Sequence, residues 1–383
     1  MAYIKNITGI QQFDFQINRI IAYGDEAADA EKIIEKTRGI KDLTTWYNVW
    51  SDLADYYRNT SQYMRTAYAF RLAEFFLNED HPQKNHMYEE SCNYFHLAFR
   101  QMKLNYTIHE IPFMNSHMHS LYFKSENEKS ILLICGGYDS FIEEFVPAII
   151  DYTNNGFTVI LFEGGGQGKT LKNGLKFMAD WEKPTSCVLD YYNVKSCTMI
   201  GISWGGYLAV RAAAFEPRIN AVAAFDVLEN GFLCMTNIFP SMLKYMVRYF
   251  VMHRKKQTAN LILRFLRKKS LIADWAMMQG MYITGTKTPY DFYRELLKHS
   301  LPQDVCDKLT CHVLLLAGEK DHYIPNDQFY RLSDKIKHAK SLSTRMFTEA
   351  EGGEQHCQTG NYQLAVDEIL HWMNHTVTAF SSK

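Results

Sequence analysis

A serine sits between two glycines in Gly201-Ile202-Ser203-Trp204-Gly205. A short apolar run, 197–200, enters this stretch. An alanine-rich run, 208–215, leaves it and stops at Glu216-Pro217. The order is strand, sharp turn, helix. A serine on such a turn carries its hydroxyl out of the backbone at the carboxyl end of a strand, as in a nucleophile elbow. The glycines lie where side chains would collide as strand and helix cross. A Gly/Ser turn of any α/β protein shares the local pattern, and only the rest of the chain tells the two apart.

A serine hydroxyl is a weak nucleophile at neutral pH. It needs an imidazole to take its proton, and the imidazole needs a carboxylate to fix its tautomer. In elbow-type enzymes the three follow in the order Ser, Asp, His. After Ser203 the chain runs Leu314-Leu315-Leu316-Ala317-Gly318-Glu319-Lys320-Asp321-His322, an apolar strand ending in a polar loop. Further on comes Glu351-Gly352-Gly353-Glu354-Gln355-His356-Cys357. Asp321 and His356 thus fall in loops that leave strands at the same edge as Ser203. Glu319 and Asp226 are rival acids and His322 a rival base, although His322 adjoins Asp321 and would meet it awkwardly. His371 and His375 read as surface or packing residues. Two backbone donors must receive the oxyanion. The N–H of Trp204 is one, and the loop Gly136-Gly137-Tyr138-Asp139 offers the other, from Tyr138 first and Gly137 next.

Two patterns point elsewhere. Phe162-Glu163-Gly164-Gly165-Gly166-Gln167-Gly168-Lys169-Thr170 approaches a phosphate-binding loop. Glutamate stands where that motif begins with glycine, and no clear helix is expected at Lys169 because Asn173-Gly174 interrupts it. An NTPase is the weaker reading. His117 and His119 share one face of a strand, but nothing nearby completes a metal site, so they read as exposed strand histidines.

The elements that must position these groups follow from periodicity. Helices are expected over 25–37, 43–59, 60–78 and 88–102, the second with Trp46, Val49, Trp50, Leu53 and Tyr57 at close to helical spacing. Strands are expected over 106–113, 117–123, 131–135, 158–162, 197–200, 221–225, 312–316 and 343–347. From residue 130 they alternate with helices over 141–152, 181–192, 328–336 and 362–373. Alternation of this kind implies right-handed crossovers and a mostly parallel sheet covered on both faces. The domain reading is a helical N-terminal region, 1–104, and an α/β domain, 105–383, interrupted by a helical cap insertion at 227–305. The insertion holds seven methionines and two basic clusters, His253-Arg254-Lys255-Lys256 and Arg267-Lys268-Lys269. Methionines suit an adaptable wall over a site and suit plain helix packing equally. The basic clusters read as solvated surface.

Composition bounds the function class. The 383 residues are 47% hydrophobic and 22% charged, as in globular proteins. With 41 basic and 42 acidic residues, no global field favours nucleic acid or an anionic membrane. No apolar run reaches the roughly 18 residues of a membrane helix, so neither nucleic acid nor membrane is an expected partner. The eight cysteines show no CxxC pairing and read as reduced thiols of a cytoplasmic protein, Cys306 and Cys311 as two separate thiols. No metal or cofactor is expected.

On these residues the chain resembles the α/β-hydrolases with a helical N-terminal domain. They include the dihydroxypseudooxynicotine hydrolases, the fungal polyketide-shortening hydrolases and FrsA-like esterases, and relatives are often labelled acylaminoacyl or dipeptidyl peptidases. The matching stretches are 136–139, 162–168, 201–219, 351–360 and Arg71-Leu72-Ala73-Glu74-Phe75-Phe76, within a resemblance spanning 46–373. The resemblance implies Ser203 as nucleophile, His356 as base and Asp321 as acid, and makes 164–168 a structural loop. Gly165 departs from the proline usual there. The resemblance leaves the reaction undecided, since some members cleave esters and others a carbon–carbon bond beside a ketone; hydrolysis of an ester or thioester of a small carbonyl substrate is the leading expectation, with carbon–carbon cleavage and peptide cleavage as alternatives. It also suggests a homodimer, and leaves the substrate-binding residues unknown.

Overall fold

Eight strands build one sheet in the order β1-β2-β4-β3-β5-β6-β7-β8 in the computed structural model, which describes residues 4–376. They are β1 (Thr107–Phe113), β2 (Ser116–Phe123), β3 (Ser130–Cys135), β4 (Phe157–Phe162), β5 (Cys197–Ile202), β6 (Ile219–Phe225), β7 (His312–Gly318) and β8 (Ser341–Phe347). β1–β2 and β2–β4 pair antiparallel, and every other pair is parallel. This is the α/β-hydrolase architecture, with all eight expected strands present. β4 and β7 are buried along their whole length, as their largely apolar sequences require of strands covered on both faces. β1, at one edge, is mostly exposed and buries only Ile111.

The parallel register aligns the carboxyl ends of the central strands. Cys135 pairs with Gly201, Ile202 with Phe225, Phe225 with Leu316, and Gly318 with Phe347. The loops that follow these strands therefore open on one edge, where ligands of such sheets bind.

The chain divides into two units. One holds the residues up to Asn105 with Glu143–Ala148 and Thr359–Tyr362; the other holds Tyr106–Ile142, Ile149–Gln358 and the chain from Gln363. In the first, the helices Gln11–Ala22, Ala30–Thr37, Leu43–Asn59, Tyr63–Phe75 and Lys84–Gln101 bury Trp46 between Phe13 and Phe76, with ring centroids 4.8 and 5.0 Å away. Gln11–Ala22 is not marked by periodicity, because polar residues break its apolar pattern. The next helix begins only at Ala30, where the Asp29 side chain accepts the N–H of Lys32, a cap that sets the start better than periodicity did. In the second unit six helices separate β6 from β7, from Gly231–Asn237 to Gln303–Cys306. Among the described residues no helix is long and apolar enough to cross a membrane.

His119 corrects an expectation. It is buried on β2, with Nδ1 3.1 Å from Glu110 Oε1, and only His117 is exposed. Met118 and His119 are both covered, and the helix Gly168–Lys172 packs on β2 there, its Thr170 Oγ1 accepting the His119 N–H at 2.9 Å.

Candidate active site

Ser203 stands at the carboxyl end of β5 with φ +61°, a left-handed conformation that costs a residue with a Cβ about 1–3 kcal/mol. Its surroundings hold it there. Its N–H donates to Phe225 O at 2.6 Å, and Gly206 N–H donates to Ser203 O at 2.8 Å. The helix Gly205–Phe215 starts immediately after. A Cβ at Gly201 would lie 1.8 Å from Gly205 O, and one at Gly206 would lie 1.9 Å from Asp226 O. These glycines allow strand and helix to cross at backbone contact, which turns the serine hydroxyl outward.

Ser203 Oγ lies 2.8 Å from His356 Nε2, and His356 Nδ1 lies 2.6 Å from Asp321 Oδ2. The other oxygen of Asp321 accepts the N–H groups of Tyr323 and Ile324 at 2.8 and 2.9 Å, so the carboxylate is fixed from both sides. The Asp321 and His356 side chains are nearly withdrawn from solvent. Burial alone would raise Asp321, but the adjoining imidazole outweighs it and holds the carboxyl below its usual range. Burial alone would depress His356, but the Asp321 carboxylate outweighs it and holds the imidazole well above its usual value. A hydroxyl, an imidazole and a carboxylate in this chain can pass a proton from oxygen to nitrogen and stabilise the charge that results.

The rival groups lie elsewhere or do other work. Glu319 Oε1 accepts the Glu349 N–H. His322 is driven down to about 4 by burial, and its ring lies against Tyr323. His371 and His375 are exposed on the closing helix Gln363–Thr376. Asp226 is different. It follows β6 directly, fully buried, with Oδ2 3.8 Å from His356 Nδ1. It accepts the Cys357 N–H at 2.8 Å and the Gln358 side-chain amide at 2.9 Å. Cys357 and Gln358 both have φ +49°. Asp226 thus ties down the turn that carries His356, and burial pushes its carboxyl up to about 7. Asp226, His356 and Cys357 bring one donor atom each within 4.8 Å of one another. Both imidazole nitrogens are already engaged, by Ser203 and Asp321, so the trio fits a cation poorly.

The two candidate oxyanion donors stand on facing loops. A Cβ on Gly137 would lie 2.7 Å from Trp204 N and 3.1 Å from Ser203 Cβ, so this loop presses on the elbow. Gly137 N–H is spent on Ser140 Oγ at 2.8 Å. The N–H groups of Tyr138 and Trp204 carry no hydrogen bond among the described residues. Gln167 fastens the loop by donating to the carbonyls of Gly136 and Gly137 at 2.7 and 3.0 Å. Behind Trp204, its indole N–H donates to Nδ1 of the buried His299 at 3.2 Å, and burial drives that imidazole down to about 3, keeping it a neutral acceptor. His299 has no signal in the sequence beyond its presence, and Gln167 only its place in the glycine-rich stretch.

The glycine-rich stretch 164–168 does start a short helix, Gly168–Lys172, against the expectation that none begins there. The Glu163 carboxylate fills the place a phosphate would take. It accepts the N–H groups of Thr170 at 3.2 Å and Ile142 at 3.3 Å, and a Cβ on Gly168 would lie 1.9 Å from it.

Residues 130–353, more than half of the chain, match the family model of the alpha/beta hydrolase fold. Hydrolase LUC6 of Fusarium sp is 24% identical, over 95% of this chain and 96% of its own length. Hydrolyase poxO of Penicillium oxalicum is 29% identical, over 69% and 68% respectively. The crystal structure of the 2,6-dihydroxy-pseudo-oxynicotine hydrolase superposes with a TM-score of 0.71 at 17% identity, covering 94% of this chain and 96% of that one. That last likeness speaks for the fold.

Proposed function

The chain belongs to the alpha/beta hydrolase fold family, and we propose that it is a serine hydrolase acting through Ser203, His356 and Asp321 on a small carbonyl substrate. The observation that carries the reading is the pair of short contacts, 2.8 and 2.6 Å, that link the three side chains in series. Ser203 Oγ attacks the carbonyl carbon as His356 Nε2 takes its proton. Asp321 holds Nδ1–H and so keeps Nε2 free to accept. The N–H groups of Tyr138 and Trp204 receive the oxyanion. His356 then returns the proton to the leaving group, and water releases the acyl group from Ser203 by the same steps. An ester or thioester is the leading substrate, since its leaving group asks least of the imidazole. Cleavage of a carbon–carbon bond beside a ketone, or of a peptide, uses the same machinery. Rates on p-nitrophenyl esters, β-diketones and aminoacyl-naphthylamides rank the three. The eight free thiols fit a reducing compartment such as the cytoplasm.

A fluorophosphonate should add once to the intact protein, and peptide mapping should place the adduct on Ser203. Modification confined to another residue would overturn the assignment.

The pH dependence has a definite sign. The reaction needs neutral His356, and Asp321 holds that imidazole above its ordinary value of 6.5 despite burial. kcat/KM for an ester should therefore rise with pH through a limb above 6.5. The Asp226 carboxylate, 3.8 Å from Nδ1, adds negative charge as it ionises and favours the imidazolium further. Asp226→Asn removes that charge, so the limb should move to lower pH while the rate at its plateau stays within about tenfold. A limb that stays put in Asp226→Asn would show that this carboxyl has no electrostatic hold on the imidazole.

A further inference from the structure

The helices Ser241–Met252 and Lys256–Lys269 of the insertion turn an apolar and basic face to the outside. In the first, Val247 and Val251 are buried, while Met242, Tyr245, Tyr249 and Met252 are exposed, Met242 by 72%. Their spacing of three and four residues makes one stripe along the helix, opposite the buried valines. In the second, Leu263 and Leu266 are buried, while Leu261 and Phe265, one turn apart, are exposed, Leu261 by 72%. Neither packing nor solubility asks for six large apolar side chains on the outer faces of two successive helices. Met246 is exposed as well, so Met242, Met246 and Met252 do not pack in the core.

The charge on these helices is equally one-sided. Residues 241–269 contain nine lysines and arginines and no aspartate or glutamate. The chain has 41 basic and 42 acidic residues in all, which leaves 32 against 42 elsewhere. The balanced total conceals a cationic face on an otherwise acidic protein. Of the nine, only Lys256 and Arg267 meet an acidic partner among the described residues. Beside the exposed Leu261 and Phe265 lies a groove of about 600 Å³ that Arg264, Arg267 and Lys268 also line, with Asp274, the partner of Arg267, as its one carboxylate.

We propose that this helical pair is a docking surface for an anionic lipid bilayer. Tyrosines and long basic side chains flanking exposed Met, Leu and Phe are the composition of a helix that lies in a membrane interface, with apolar groups between the acyl chains and cations at the headgroups. The lack of any acidic residue over 29 positions, 241–269, suits a negative surface and penalises the main competitor, a second copy of the chain. A two-fold contact through this face would set its cations against the same cations. The inference does not depend on the reaction assigned to Ser203.

Flotation of the full-length protein with lipid vesicles tests it. The protein should rise with vesicles of equimolar phosphatidylglycerol and phosphatidylcholine, stay down with phosphatidylcholine alone, and be released by salt as the Debye length falls to about 3 Å near 1 M. Arg264→Glu with Lys268→Glu should weaken binding at least about tenfold, at roughly fivefold per cation lost. Tyr249→Ser with Phe265→Ser should weaken it too, and ester turnover should be unchanged in both pairs. All four side chains are at the surface, so circular dichroism should be unaltered. Absence of binding to anionic vesicles at low salt, or equal binding by wild type and the charge-reversed protein, would overturn the proposal. So would a sedimentation dimer that these substitutions split while no vesicle binds, which would make the face a contact between copies.

Discussion

Replacing Ser203 with alanine is expected to lower kcat on an ester by about four to six orders of magnitude, with KM changed little. The size follows from what stands near the hydroxyl. Ser203 Oγ is the oxygen within 2.8 Å of His356 Nε2, and the two thiols closest to the site cannot take its place. Burial raises the Cys357 thiol and pushes Cys234 up to about 12, so neither supplies a thiolate at neutral pH. What remains in the alanine protein is binding and the two backbone donors, which by themselves leave a rate about 10³ to 10⁴ above water. The fold should not suffer. Alanine keeps the Cβ, the left-handed φ and the N–H bond to Phe225 O, so thermal unfolding should shift by less than about 1 kcal/mol. Steady-state kinetics, with burst titration to exclude traces of wild type, is the measurement. Retention of turnover within tenfold would sink the nucleophile assignment, and a collapse in melting temperature would show that Ser203 supports the fold instead.

The left-handed serine also explains why so much of this site is legible in the sequence. A residue with φ +61° must be flanked by positions that accept backbone contact, and Gly201, Gly205 and Gly206 meet carbonyl oxygens at distances no Cβ tolerates. Local geometry of that kind writes itself into types and spacing. The continuous apolar runs of β3, β4 and β7 did the same for the sheet, and the sheet then carried Asp321 and His356 to the edge where Ser203 stands.

Long-range partners leave no such mark. Nothing in Asp226 or Gln358 by itself says that one grips the other across 132 positions to hold the histidine turn. Gln167 and Gly136, or Trp204 and His299, meet only through the fold. The same reason put His119 on the wrong side of the reading. Strand alternation fixes which face a side chain takes, but coverage of that face depends on elements far away in the chain. Glu163 is the intermediate case. Its position in a near-miss of a phosphate loop argued against a nucleotide, and the structure adds that its carboxylate occupies the anion's place.

The two carboxylates beside His356 give the second large effect. Asp321→Asn is expected to reduce kcat/KM about 10⁴-fold at neutral pH, near 5.5 kcal/mol of transition-state stabilisation. Charge is part of the cause and hydrogen-bond polarity the rest. Asp321 Oδ1 accepts two backbone N–H groups, from Tyr323 and Ile324. In the asparagine protein the carbonyl oxygen must stay with those donors, since an NH2 group there would oppose two N–H groups. The amide NH2 then faces His356 Nδ1, 2.6 Å away in the wild type, and obliges that nitrogen to accept. The proton moves to Nε2, the nitrogen that should receive it from Ser203, and the imidazole is held in the unproductive tautomer. Asp226 does not take over at once. It lies 3.8 Å from Nδ1 and already serves the Cys357 N–H and the Gln358 amide. Asp226→Asn should accordingly stay within about tenfold of wild type at its pH optimum. Measuring both variants on one ester decides between the two acids. If Asp226→Asn were the protein that lost four orders of magnitude and Asp321→Asn kept its rate, the acid would lie at the end of β6, and Asp321 would be a loop anchor.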